Sequence, residues 1–111
     1  MTLEEIATFI VADGKGILAA DESNPTCGKR FDSIGVESTE ENRRDYREML
    51  FRSKGMKGNI GGVILFDETI RQSAADGTLL REIILKQGAL PGIKVDKGLQ
   101  PIENFPGETV T

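Results

Sequence analysis

Apolar residues along this chain change period several times, and each change marks an element. Ile6, Phe9 and Ile10 recur at helical spacing and predict an amphipathic helix within the first dozen residues. "GILAA", residues 16–20, is a continuous apolar run too short for a helix, and it predicts a strand apolar on both faces, as in a parallel sheet covered by helices. The run ends abruptly in Asp21-Glu22-Ser23. After a turn-rich gap around Asn24-Pro25, "CGKRFDSIG" predicts a short helix closed by Gly35. Ser38 and Thr39 then offer an N-cap hydroxyl ahead of Glu40 and Glu41, and Tyr46, Met49 and Leu50 keep helical spacing to about Ser53. "GGVILF", 61–66, reads as a second buried strand. Helical residues resume through "ETIRQSA", Asp76-Gly77 makes a turn, and "TLLREIILKQG" is an amphipathic helix stopped by Gly88. "GIKVDKG", 92–98, reads as a third strand, and the tail "LQPIENFPGETVT" as loop.

Strands separated by helical segments are βα units, which the right-handed crossover rule gathers into one parallel sheet, so the fold class is α/β. Three parallel strands leave two open edges and bury little, whereas a (β/α)8 barrel removes the edges but needs about 250 residues. The chain therefore reads as the first three or so βα units of such a barrel, incomplete as given. A minimal open α/β sheet is the rival. In both architectures the functional face lies at the carboxyl ends of the strands. There the sequence puts Asp21, Asp67 and the group from Lys94 to Lys97. Period two sets Ile17, Ala19 and Asp21 on one face of the first strand, and Lys94 with Asp96 on one face of the third. Either a carboxylate and an ammonium converge on one cavity, or Asp21 and Lys94 or Asp96 form a structural ion pair there. For Asp67 and Glu68 the plainer reading is capping of the next helix.

Charge and composition then narrow the chemistry. Fourteen Lys and Arg against 18 Asp and Glu give a net charge of −4, which argues against a broad footprint for nucleic acid or anionic lipid and leaves room for local basic pockets. No stretch approaches the ~18 uninterrupted apolar residues of a membrane helix. Cys27 is the single cysteine, so no intramolecular disulfide can form, and the amino terminus carries glutamates where a secretory signal carries lysines. A cytoplasmic protein is expected. Histidine is absent, which removes the commonest metal ligand and the usual general base near neutral pH. No metal site is expected, and chemistry rests on Asp, Glu, Lys, Arg and hydroxyls.

"VILFDE" looks like a Walker B strand and raises a nucleotide-binding reading, but no Gly-Lys pair is followed by the Ser or Thr that a phosphate-binding loop requires. The residues "GKGILAADES", "KRFDSIGVESTEENRRDYREMLF", "GGVILFDET" and "GIKVDKG" resemble, in order and spacing, class I fructose-bisphosphate aldolase. The resemblance runs over about residues 3–108, and "DESNPTCGKR" looks closest to the plastid-type members. It implies a (β/α)8 barrel of which residues 1–111 form the amino-terminal part of a single domain.

By that resemblance the reaction is reversible cleavage of fructose 1,6-bisphosphate to dihydroxyacetone phosphate and glyceraldehyde 3-phosphate, without a cofactor. A lysine amine forms a Schiff base with the substrate ketone and supplies the electron sink for the carbanion. Asp21 matches the family's active-site aspartate, and Lys94 a lysine that lines the same pocket and contacts substrate. Ser23, Arg30 and Arg43 match positions linked to the site or to phosphate binding, and Thr26 stands where many members carry serine. Lys29 and Arg44 read as helix-surface charge. The family's Schiff-base lysine, a second catalytic lysine and acid/base glutamates match positions beyond Thr111, so the piece reads as a fragment of an enzyme that is commonly tetrameric. A truncated relative that only binds phosphosugars is the alternative, and a nucleotide-binding α/β domain a remote one.

Overall fold

The computed structural model describes all 111 residues. Five helices and five strands follow one another: α1 (Leu3–Ile10), β1 (Gly16–Ala20), α2 (Asn24–Asp32), α3 (Glu40–Phe51), β2 (Ile60–Leu65), α4 (Asp67–Ile70), α5 (Leu80–Lys86), β3 (Leu90–Ile93), β4 (Gln100–Pro101) and β5 (Thr109–Val110). Strands β1, β2 and β3 form one parallel sheet in that order, the α/β arrangement expected from the sequence.

Local chemistry sets the helix starts. Thr2 Oγ1 accepts the Glu5 N–H at 3.1 Å and Thr39 Oγ1 accepts the Asn42 N–H at 3.0 Å, each satisfying an otherwise orphaned donor. Pro25 lies inside the first turn of α2, where a missing N–H costs nothing, so the expected turn at Asn24-Pro25 is instead the start of that helix. Gly88, at φ 84°, takes the left-handed conformation that ends α5.

Residues paired in register point to the same side of the sheet, which separates its two faces. Ala20, Val63 and Leu65 face the helices and join Phe51, Met56, Leu80, Ile83 and Ile84 in the core. Ile17, Ala19, Ile64, Leu90 and Gly92 occupy the other face. There α1 closes only the amino end, where Ile6 and Ile10 meet Ile17, Gly62 and Leu90 around a cleft of about 170 Å³. Ile17 stays 46% exposed, which corrects the expectation of a strand covered on both faces. The close approach of α1 has a backbone cause. The register slips between Gly16 and Ile17, leaving Gly61 unpaired with β1, and a Cβ at Gly61 would lie 2.5 Å from the Ile10 carbonyl oxygen.

The third strand begins earlier and ends sooner than expected, at 90–93 rather than 92–98. Pro91 is tolerated because β3 is an edge strand. The Lys94 N–H still reaches the Leu65 carbonyl at 2.8 Å, but Asp96 Oδ1 then accepts the Gly98 N–H at 2.9 Å and turns the chain out of the ladder. In "ETIRQSA" only the turn of α4 is helical, and the tail pairs Gln100 with Val110 and Pro101 with Thr109 where loop was expected. No helix is long and apolar enough to cross a membrane.

Candidate active site

Asp21 continues the uncovered face of β1 just past its carboxyl end, and Lys94 does the same for β3. Their side chains meet above the intervening β2: Lys94 Nζ lies 3.6 Å from Asp21 Oδ2 and donates to Asp96 Oδ2 at 2.7 Å. All three groups keep between a quarter and a third of their side-chain surface open to solvent. The hydrogen bond to Asp96 raises the Lys94 pKa above its ordinary value, and the Asp96 and Asp21 charges reinforce it against partial desolvation. Asp96 is lowered in return, first by Lys94 and then by the Gly98 N–H. Ser23, Phe66, Lys94, Asp96, Lys97 and Gly98 line the adjoining cleft of about 410 Å³.

Helix α2 brings hydroxyls to the same rim. Ser23 stands at its N-cap without spending its Oγ on a cap bond, and that Oγ lies 3.3 Å from Thr26 Oγ1. Arg30, one turn beyond Thr26, is 59% exposed and paired with Glu22. Arg43 is drawn elsewhere. Its Nε and Nη2 donate to Glu68 Oε1 and Oε2 at 2.8 and 2.9 Å, and its Nη1 donates to the Ser38 carbonyl and hydroxyl. This bidentate pair pulls the Glu68 pKa below the usual carboxylate range, mainly through the hydrogen bonds and against a smaller effect of burial. Asp67 pairs with Arg71 across one helical turn at 2.9 Å.

The sequence-derived residues thus fall into three groups. Asp21, Lys94 and Ser23 converge on one rim with Thr26 beside it, Arg30 stands at its edge, and Arg43 is engaged with α4. Sequence reasoning placed Asp96 and Lys97 at the strand ends, Asp96 as a possible ion-pair partner, without a role for either in the site, and it found no role for Glu22 or Arg47. For Arg47 a signal was present: Arg43, Arg47 and Phe51 share one face of α3 at helical spacing, and all three are buried. A guanidinium within an apolar stripe must have a buried partner.

The family model described as "Fructose-bisphosphate aldolase class-I" matches residues 2–111. The chain belongs to that family. Curated relatives of similar sequence include a fructose-bisphosphate aldolase of Drosophila melanogaster, 57% identical over 110 residues, covering 98% of this chain and 30% of the relative. A chloroplastic aldolase of Chlamydomonas reinhardtii is 54% identical over 96% of this chain and 28% of its own length. A probable class 1 aldolase of Xanthomonas axonopodis is also 54% identical, over 98% of this chain and 33% of its own. The solved fructose-bisphosphate aldolase of Plasmodium falciparum, in complex with TRAP and a small-molecule inhibitor, superposes with a TM-score of 0.86 at 48% identity, covering 96% of this chain and 31% of that one. This aldolase-family chain spans about a third of the length of the curated relatives it matches. The family match displaces the nucleotide-binding reading of "VILFDE", whose two acids are engaged by Arg71 and Arg43.

Proposed function

We propose that this chain is the amino-terminal part of a class I, Schiff-base fructose-bisphosphate aldolase built on a (β/α)8 barrel, and that the complete enzyme cleaves fructose 1,6-bisphosphate reversibly. The observation that carries the reading is the convergence of Asp21 and Lys94 across the carboxyl ends of β1 and β3, in a chain matched to the family over residues 2–111. Asp21 takes the role of orienting the sugar hydroxyls and moving a proton as the carbon–carbon bond breaks. Lys94, kept cationic by Asp96, attracts an oxyanion or a phosphate of the substrate. Ser23 and Thr26 offer hydroxyls at the start of α2, where a helix N-terminus favours negative charge, and Arg30 adds a guanidinium on the same face. Arg43 supports that rim from behind through Glu68.

The covalent step belongs to a lysine outside residues 1–111. Lys94 is unsuited to it, because a Schiff-base amine must be able to lose its proton and two carboxylates hold this one charged. A homo-oligomer in the cytoplasm accompanies this reading. The test is cleavage of fructose 1,6-bisphosphate by the product of the complete reading frame, with chelator present, beside its Asp21→Ala variant. The expected result is chelator-resistant activity, lowered in the variant by about 10²-fold or more in kcat at unchanged thermal stability. An inactive product overturns the reading, and near-normal turnover in the variant removes Asp21 from the mechanism.

A further inference from the structure

Behind the rim lies a buried charge cluster in which Arg30 alone has a part in the proposed chemistry, while Glu22 and Arg47 have none. Glu22 follows Asp21 directly, and the alternation that sends Asp21 to the open face sends Glu22 into the helical layer. Its side chain is 7% exposed and takes three partners there: the Arg30 guanidinium, the Tyr46 hydroxyl at 3.1 Å, and Arg47, whose Nη2 lies 3.6 Å from Glu22 Oε1. Arg47 is wholly buried and also donates to the Glu22 backbone carbonyl at 2.7 Å. Arg30 and Tyr46 both donate to Oε2, whereas Oε1 accepts no hydrogen bond and faces Arg47 only as an ion pair, so Arg47 anchors the residue chiefly through its backbone carbonyl while Arg30 remains largely exposed.

A structural ion pair that only joined α2 to α3 would need neither feature. It would gain nothing from leaving one guanidinium face in solvent on the side of α2 that bears Ser23 and Thr26. It would also gain nothing from sitting one peptide from the acid at the centre of the rim. Resting on the aldolase reading above, we propose that Glu22, anchored by Arg47, is a positioning residue that aims Arg30 along the Ser23–Thr26 face, so that its open N–H groups meet a phosphate of the bound sugar. Glu22 touches no substrate itself. Arg30 fixed by a buried carboxylate keeps its planar fork in one orientation, and little rotamer freedom is then lost when an anion binds.

A double-mutant cycle in the product of the complete reading frame separates positioning from structure, with KM and kcat for fructose 1,6-bisphosphate and calorimetric binding of the same compound as readouts. Glu22→Gln keeps the size and one accepting oxygen but removes the charge. It is expected to raise KM and the dissociation constant about tenfold with kcat changed less than about threefold, as Arg30→Met should, and the double variant should be no worse than either single one. If Glu22→Gln does not fold, Glu22→Asp serves in the same cycle, since it keeps the charge beside Arg47 and shortens the reach to Arg30. Additive effects in a folded, active enzyme, or an unchanged KM in the Glu22 variant, overturn this inference alone. A wild-type product that neither cleaves nor binds the bisphosphate overturns it together with the aldolase reading.

Discussion

Arg43 and Lys94 carry the same charge and face similar acids, yet burial gives them different work. The Lys94–Asp21–Asp96 cluster is open enough for a ligand to replace a protein partner, whereas the Arg43–Glu68 pair is shielded and saturated. Such a pair acts on stability. Glu68 titrates below its ordinary value of 4.5, so its contribution is present above that pH and is lost as pH falls through the lowered folded-state value. In the product of the complete reading frame, Glu68→Gln is expected to cost about 2 kcal/mol near neutral pH, because it leaves a buried guanidinium facing a neutral amide. The variant should also lose less further stability than wild type on acidification, which denaturant titrations at several pH values would measure. Equal acid sensitivity in both proteins would contradict the assignment. Asp21 and Lys94 were legible in the sequence because period two and the strand-end rule apply to each alone. The destination of Arg43 was not, since Glu68 stands 25 residues further along the chain and only the tertiary fold brings it near.

At the scale of elements, runs with a clear period were read correctly and their boundaries less so. Strands β1 and β2 stand where continuous apolar runs put them, and Thr39 caps α3 as its hydroxyl suggested. Strand β3 was misplaced toward Val95 because alternation continues through "KVDKG", while the Asp96–Gly98 hydrogen bond that ends the ladder is a side-chain event with no periodic trace. Helix α1 illustrates the reverse dependence, of an element on one missing atom. Gly61 is the point where the end of α1 crosses β2, and the nearest obstacles to a Cβ are Ile10 backbone atoms at 2.5 and 2.9 Å, which cannot rotate away. Gly61→Ala is therefore expected to lift α1 from the sheet and lower stability by about 1–3 kcal/mol. Faster hydrogen exchange over residues 3–10 alone would be the accompanying sign, and a variant as stable as wild type would show that the bulge can absorb the methyl.

For the whole molecule, the two faces of the sheet decide the behaviour. One carries the core, and the other exposes Ile17 and leaves both edge strands unpaired on their outer sides. Only 18 of 111 residues are buried, and the radius of gyration of 16.0 Å exceeds the roughly 13 Å of a compact domain of this length. A three-stranded parallel sheet with two open edges was legible from strand count and the period of the apolar runs. The isolated 111-residue chain is expected to lack a cooperative thermal transition and to associate through its open face and edges, whereas a sharp two-state transition of a monomer would show that the piece is self-sufficient. The chemical claim has a more direct test: borohydride trapping with dihydroxyacetone phosphate, applied in parallel to this chain and to the product of the complete reading frame, with the adduct located by peptide mass analysis. A single adduct on a lysine beyond Thr111, in the longer product only, is the expected result. An adduct on Lys94 would contradict its assignment as a substrate-gripping cation, and no adduct on either chain would contradict the assignment of Schiff-base chemistry.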